Sequence, residues 1–270
     1  MMDEKLYLGT GTSSAKDYEG LYSMLDAALQ NGIRNFDTAP SYKTEEILGK
    51  ALTVLTYKYG LNRGDYKIQT KIDPWQMQDG NICKFVQDAM KKLGVDYLDS
   101  LLVHWFEPDY FEDTWIEFCK LYEEGIVKRI GVCNVRERHI KRLLCSDFPP
   151  QIVQIERNPL RICKEEVNLC EENAIEIQAY SALCKMDSRI KDNAEVNRIA
   201  EAHNKSVGQI VLRWHLDTGV IPIFTSTKPQ RIKEYTDIFD FKLSKREIDI
   251  IDSLNENYKM FLESCICPGF

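Results

Sequence analysis

Four residues in the first two-fifths of the chain carry groups that can hold, move or stabilise a proton. They are Asp37 and Tyr42 in FDTAPSY, Lys71 in QTKI and His104 in LLVHW. A tyrosine hydroxyl has a free pKa of ~10, too weak an acid to be well matched to pH 7. A nearby ammonium stabilises the phenolate and is expected to lower that value. Lys71 is the candidate ammonium, and a shift of ~2 units would correspond to ~3 kcal/mol of differential interaction. Asp37 is the candidate partner that keeps Lys71 charged and aimed. His104 is the candidate hydrogen-bond donor to an oxygen on which negative charge develops.

Taken singly, each residue has an ordinary explanation. A lysine after a strand is usually solvated, and a tyrosine is usually half-buried packing. Asp37-Thr38 can cap a turn, and a lone histidine is more often structural. Four such residues at successive strand ends are harder to explain that way. Together they suit a carbonyl reduction, which needs a proton donor and a hydride. Side chains supply no hydride, so a nicotinamide is expected to bring it.

The elements that must position these groups are legible as alternation. KLYLG, IRNFDT, YKIQTKI, YLDSLLVHW, VKRIGVCN, QIVQIE, IEIQAYS and VIPIFTS are short and rich in Ile, Val, Leu and Tyr. Each precedes a stretch with apolar residues at helical spacing. Gly32, Gly60, Gly94, Gly125 and Gly219 fall just past helical runs, where a C-terminal cap is expected. Eight strand–helix units predict an α/β chain folded as a (β/α)8 TIM barrel, one domain over 1–270, with a doubly wound sheet as the alternative. A barrel places its chemistry at the C-terminal strand ends. The remaining ends carry Asn134, Gln154, Tyr180 and Ser181, each a polar residue closing an apolar run.

Composition fits this frame. The chain has 270 residues, and a TIM barrel needs ~250. With 35 basic against 42 acidic residues the net charge is −7. That excludes a broad basic face for nucleic acid but not one bound dinucleotide. No apolar run approaches a membrane span, and MMDEKLYLGTG does not resemble a signal peptide. Nine cysteines are scattered with no Cys-x-x-Cys spacing. No disulfide framework and no metal site are expected, only reduced thiols in a cytoplasmic protein. Cys265 and Cys267 form the single close pair, and core-independent redox chemistry there is not expected.

From LGTGT to KREIDIIDSL the sequence resembles the aldo-keto reductase family. The order and spacing of FDTAPSY, TK and LLVHW match that family's Asp–Tyr–Lys–His tetrad, and GVCNVRERHI, VQIERNPL, QAYSAL and IPIFTSTKPQRI match further stretches. The resemblance implies that Asp37, Tyr42, Lys71 and His104 are catalytic. It implies that Asn134 and Gln154 hold a nicotinamide carboxamide and that Tyr180 stacks on its ring. Gly11 and Thr12 would lie near the cofactor, with Asp37 beside it. Ser181 and Leu183 would line the pyrophosphate path, and Ser226 and Arg231 would reach the adenosine phosphate. Such a cofactor binds across the barrel mouth, so the lack of G-x-G-x-x-G is no obstacle.

Three departures bear on this. Many members carry a lysine where Thr225 stands, and that lysine grips the 2′-phosphate of NADP. Lys228 lies three residues on and Arg231 is retained, so NADP(H) is favoured with NAD(H) possible. Cys133 replaces the usual serine before Asn134 in the cofactor seat, and a thiol is the poorer donor. The loops after the fourth and seventh strands and the C-terminal tail look short, which predicts an open site. Ser13, Trp75, Trp105 and Phe106 are the nominated substrate contacts. Packing explains Trp105 equally well and Trp75 better. The expected partner is a small carbonyl or alcohol, bound by a monomer or weak oligomer. Two rival functions stand beside reduction. One is a nucleotide-binding regulatory subunit with little turnover, which need not keep a full tetrad. The other is a Schiff-base aldolase on Lys71, which Asp37 opposes by keeping the amine charged.

Overall fold

Strands of three to six residues build a sheet that closes on itself. The structure is a computed structural model and describes residues 5–12, 15 and 17–261. The strands are β1 (Tyr7–Gly9), β2 (Asn35–Asp37), β3 (Lys67–Ile72), β4 (Ser100–Val103), β5 (Ile130–Cys133), β6 (Ile152–Glu156), β7 (Glu176–Tyr180) and β8 (Ile221–Phe224). All neighbours pair in parallel, and β1 joins β8 to close the barrel. The chain is thus a (β/α)8 TIM barrel. Around it run α1 (Tyr18–Gln30), α2 (Glu45–Tyr59), α3 (Pro74–Asp79), α4 (Ile82–Leu93), α5 (Phe111–Glu123) and α6 (Glu137–Leu143). They continue as α7 (Lys164–Glu172), α8 (Ser188–Lys191), α9 (Ala194–His203), α10 (Val207–Asp217), α11 (Pro229–Thr236) and α12 (Lys245–Asp252).

Two differences from the sequence expectation have local causes. The long helical region ending near His215 divides into α8, α9 and α10. Asn193 and Ser206 each turn a side-chain oxygen onto backbone N–H groups of the next helix, so each starts a new one. The short α3 was not anticipated. Asp73-Pro74 starts it: Pro74 suits the first helical position, and the Gln76 side chain accepts from the Asp73 backbone N–H at 2.9 Å. The glycine caps behave as expected, as at Gly60 (φ 63°) and Gly94 (φ 69°).

Successive strand residues face opposite ways. Outward-facing Leu8, Phe36, Ile68, Leu101, Val132 and Val153 join the helices' apolar faces in the main core. The interior of the barrel differs from the branched apolar packing common in this fold. Leu102, Cys133 and Ile152 form only a small apolar cluster there. Beside them stand Gln69, Gln154 and Gln178, all buried. Gln69 and Gln178 bond reciprocally at 2.8 and 3.1 Å. They belong to β3 and β7, which are not neighbours, so the pair crosses the interior. Register puts Gln69 opposite Asp37 and Gln178 opposite Gln154. Burying amides is tolerable because each is hydrogen-bonded.

Gly131 has no room for a side chain in this interior. A Cβ there would meet the Ile152 carbonyl oxygen at 2.3 Å and Leu102 Cδ2 at 2.7 Å. Gly131→Ala should therefore destabilise the fold by about 1–3 kcal/mol, the usual cost of overpacking. Chemical denaturation measures this, and an unchanged midpoint would refute the close approach.

Candidate active site

The C-terminal strand ends open into a cavity of about 1160 Å³. Tyr42, His104, Trp105, Asn134, Gln154 and Tyr180 line it. Gln154 and Tyr180 lie within β6 and β7, while His104 and Asn134 are held because backbone pairing runs one residue past β4 and β5. His104 N–H donates to Ile72 O at 2.9 Å, and Asn134 N–H donates to Gln154 O at 2.9 Å. Tyr42 comes instead from a single 3-10 turn, Pro40–Tyr42, directly after β2.

At the centre Lys71 Nζ donates to both Asp37 carboxylate oxygens at 2.8 Å and to Thr38 O at 2.9 Å. Its contact with the Tyr42 hydroxyl is longer, 3.5 Å. Burial alone would lower the Lys71 ammonium, but the Asp37 carboxylate, with Tyr42 and Cys133 beside it, outweighs burial and holds Lys71 charged. Asp37 also accepts from Gln69 Nε2 at 2.8 Å and Gln154 Nε2 at 3.1 Å.

Tyr42 departs from the sequence expectation. Its hydroxyl is not lowered but pushed up to about 12. Desolvation dominates, and the pull of Lys71 is partly cancelled by Asp37. The ammonium is committed to its carboxylate and only grazes the phenol oxygen. The Tyr42 hydroxyl therefore stays protonated at physiological pH.

His104 stacks edge-on to Tyr42, with ring centroids 5.6 Å apart. Its Nδ1 makes a very short contact with Asp73 Oδ1. Asp73 carries no role in the four-residue pattern, and sequence reasoning missed it. Burial would raise its carboxyl, but bonds from His104 and Ser41 outweigh that and hold it below the ordinary range. Burial lowers His104, Lys71 adds to this and Asp73 opposes it.

The expected cofactor seat comes together in part. Asn134, in the left-handed region at φ 57°, donates from Nδ2 to His104 O at 2.8 Å. It accepts from the Tyr180 hydroxyl at 2.6 Å. Gly11, Thr12, Ser181, Leu183 and Arg231 line the same cavity. Gly11 also has a packing reason, since a Cβ there would meet the Tyr42 ring at 3.1 Å. Cys133 lies buried at the end of β5 and does not line the cavity, and its thiol is raised chiefly by burial. Ser226 faces its own turn and accepts from Lys228 N at 3.2 Å. Thr225 lines the cavity and ties its hydroxyl to Gly9 O at 3.1 Å.

The substrate nominations divide. Trp105 lines the main cavity. Trp75 does not: it is 55% exposed, meets Phe85 edge-on and borders a separate cavity of about 190 Å³ with Glu45 and Gln76. Phe106 is buried, stacked between Phe111 and His139 at 4.5 and 4.6 Å, so it serves the core. Ser13, Cys265 and Cys267 lie outside the described residues. Phe261 was not anticipated. Glu156 accepts from the Met260 and Phe261 backbone N–H groups, and this brings Phe261 to the cavity wall against Tyr180. The β4–α5 connection is short, residues 104–110, while the segment after β7 carries a 3-10 turn and α8. Among the described residues no cluster of potential metal ligands occurs, and no helix is long and apolar enough to cross a membrane.

A dinucleotide fits what is present. The cavity exceeds the ~300–1,000 Å³ of a drug-sized pocket. Its lining includes Asp37, Tyr42, His104 and Tyr180 together with the cations Lys185, Lys191 and Arg231 and the acids Asp192 and Glu234.

Comparison with known proteins bears on the family and the fold. The profile of the Aldo/keto reductase family matches residues 5–256. Glyoxal reductase of Bacillus subtilis (strain 168) is 36% identical over 95% of this chain and 91% of its own length. Methylglyoxal reductase DkgA of Escherichia coli (strain K12) is 34% identical over 94% and 90%. A crystal structure of a Bombyx mori aldo-keto reductase in complex with NADP superposes with a TM-score of 0.89 at 31% identity, covering 96% of this chain and 92% of that one. The chain belongs to the aldo/keto reductase family. It is therefore an oxidoreductase of carbonyl groups.

The central ion pair yields a stability test. Lys71→Met leaves Asp37 buried without its cation and should cost about 3–5 kcal/mol. The double change Asp37→Asn with Lys71→Met should recover much of that loss in denaturant titrations. A double variant as unstable as Lys71→Met alone would contradict it.

Proposed function

We propose that this chain reduces small reactive aldehydes and ketones to alcohols with NADP(H), and that Tyr42 is the proton donor. The observation that carries it is Lys71 Nζ, 2.8 Å from both Asp37 oxygens and 3.5 Å from the Tyr42 hydroxyl, in a cavity of dinucleotide size. The glyoxal and methylglyoxal reductases among its relatives make short 2-oxoaldehydes the first substrates to try.

NADPH, when bound, supplies the hydride. The remaining work falls to the chain's own groups. Tyr42 gives its hydroxyl proton to the carbonyl oxygen and becomes a phenolate, which solvent later reprotonates. A hydroxyl held near 12 suits this step. It stays protonated until needed, and an alkoxide oxygen is a much stronger base than a phenolate. Lys71 stabilises the phenolate, and Asp37 keeps Lys71 charged. Trp105 and Phe261 wall the substrate side, and Trp105 helps exclude water.

Asn134 and Gln154 would hold the carboxamide and Tyr180 would cover the ring. Ser181 and Leu183 would follow the pyrophosphate, with Gly11, Thr12 and Cys133 around the inner end. Arg231, which lines the cavity, would meet the 2′-phosphate with Lys228 where Thr225 replaces the usual lysine, and Ser226, turned to its own loop, would only border it. Thr225 is tied to Gly9 O, so it offers the phosphate no charge. This supports NADP(H) with appreciable NAD(H) use. The protein is read as a cytoplasmic monomer or weak oligomer, consistent with free thiols at all seven described cysteines.

Two outcomes test this reading. Tyr42→Phe should reduce turnover of methylglyoxal by roughly 10²–10⁴-fold, the range of a general acid. NADPH should still quench protein fluorescence with near-normal affinity. Normal turnover by the variant would remove Tyr42 from its role. Arg231→Ala should weaken NADPH binding by about tenfold or more, as for a lost charge-assisted hydrogen bond, while NADH binding changes little. Equal loss for both nucleotides would remove Arg231 from phosphate recognition.

A further inference from the structure

Asp73 stands two residues past Lys71 and caps α3. Besides His104 Nδ1, its carboxylate accepts from the Ser41 backbone N–H at 2.8 Å and from the Ser41 hydroxyl at 3.2 Å. Ser41 is the residue before Tyr42, so one buried carboxylate ties together the turn bearing the phenol and the ring of His104. A carboxylate has no hydrogen to give, so the hydrogen in the His104 contact resides on Nδ1. A neutral imidazole carries one N–H. Its other nitrogen, Nε2, is the only one left for the cavity that His104 lines.

We propose that Asp73 is a positioning residue that fixes His104 in its Nδ1–H tautomer, so that Nε2 accepts when the ring is neutral and donates to the substrate oxygen only when it is protonated. The inference rests on carbonyl reduction as the activity. It replaces the constant donor expected of His104 with one that depends on pH. Protonation places a hydrogen on each ring nitrogen, and Nε2–H then stabilises the charge growing on the substrate oxygen. His104 keeps its proton throughout, and the transferred proton still comes from Tyr42.

The groups facing this ring are Asp73 from the α3 cap, Lys71 on β3, Asp37 on β2 and the Tyr42 ring from the 3-10 turn. The Cys133 thiol on β5 is within electrostatic reach of Asp73 and stays protonated. Burial and the Lys71 ammonium disfavour the charged ring, while Asp73 and, more weakly, Asp37 favour it. The protonated fraction is thus set by competition, and removing Asp73 changes both the charge balance and the tautomer.

The test is kcat/KM for NADPH-dependent reduction of methylglyoxal from about pH 5 to about pH 9, for the full chain and for Asp73→Asn. The unaltered protein should lose about tenfold per pH unit above the His104 titration, as for one required proton. The Asn amide can donate to Nδ1 and release the ring to its Nε2–H form, so the variant's profile should flatten. A flat profile in the unaltered protein, or the same limb in both, overturns the proposal. A second readout needs no variant of Asp73 and no turnover, so it fails separately from the reduction reading. The chain has four histidines, and nitrogen-15 NMR, assigned with His104→Gln, reads each ring. Above its titration His104 should show a protonated Nδ1 and a bare Nε2. A protonated Nε2 in the neutral ring overturns the proposal.

Discussion

The buried ion pair of Lys71 and Asp37 is the constraint on which the rest of the site depends. Two full charges out of water are costly, and their attraction repays that only if the remaining lone pairs and protons are satisfied. Here they are. Lys71 reaches both carboxylate oxygens and Thr38 O, and Asp37 accepts two further amide hydrogens, from Gln69 and Gln154. The pair is therefore stiff. Its stiffness decides how much positive charge is left for Tyr42, which is less than proximity alone suggests.

The glutamine network extends that constraint through the barrel. Asp37 on β2, Gln69 on β3, Gln154 on β6 and Gln178 on β7 bond across an interior that is usually apolar. A partly satisfied network would be worse than an apolar core. The pairing of Gln69 with Gln178 is reciprocal, so one strand slipping by a residue would break it on both sides. Polar specificity thus reaches below the reacting groups and links their strands.

The site's upper wall follows a different rule. Tyr42, Ser41 and Asp73 sit in turns, where side chains rather than sheet pairing fix position. Asp73 does for the turn and His104 what Asp37 does for Lys71: an anion accepts several donors and holds them in one arrangement. Glu156 repeats the device at the rim, where its carboxylate takes two backbone N–H groups and lays Phe261 beside Tyr180. Three carboxylates near strand ends therefore organise the floor, the acid–base side and the rim.

The eight strand–helix units and the polar residues that close their strands were legible in local sequence, whereas barrel closure rather than an open sheet was decided by the pairing of β1 with β8. Alternation with periods near 2 and 3.6 is a short-range signal, and Asp37, Lys71 and His104 each close an apolar run. Glycine caps such as Gly60 and Gly94 are equally local, because only the backbone angle matters. Other features needed tertiary structure. Gln69 and Gln178 are far apart in sequence and look like ordinary strand residues until barrel closure makes them face each other. Asp73 reads as a helix cap, and its bond to His104 appears only when β3 and β4 pair in register. Phe106 and Trp105 are adjacent and similar in type, yet one packs between aromatic rings and the other faces the cavity, because orientation at a loop is not periodic. The acidity of Tyr42 was misjudged for the same reason. Residue types predict that an ammonium is near, but only three-dimensional distances tell that it lies 2.8 Å from its carboxylate and 3.5 Å from the phenol.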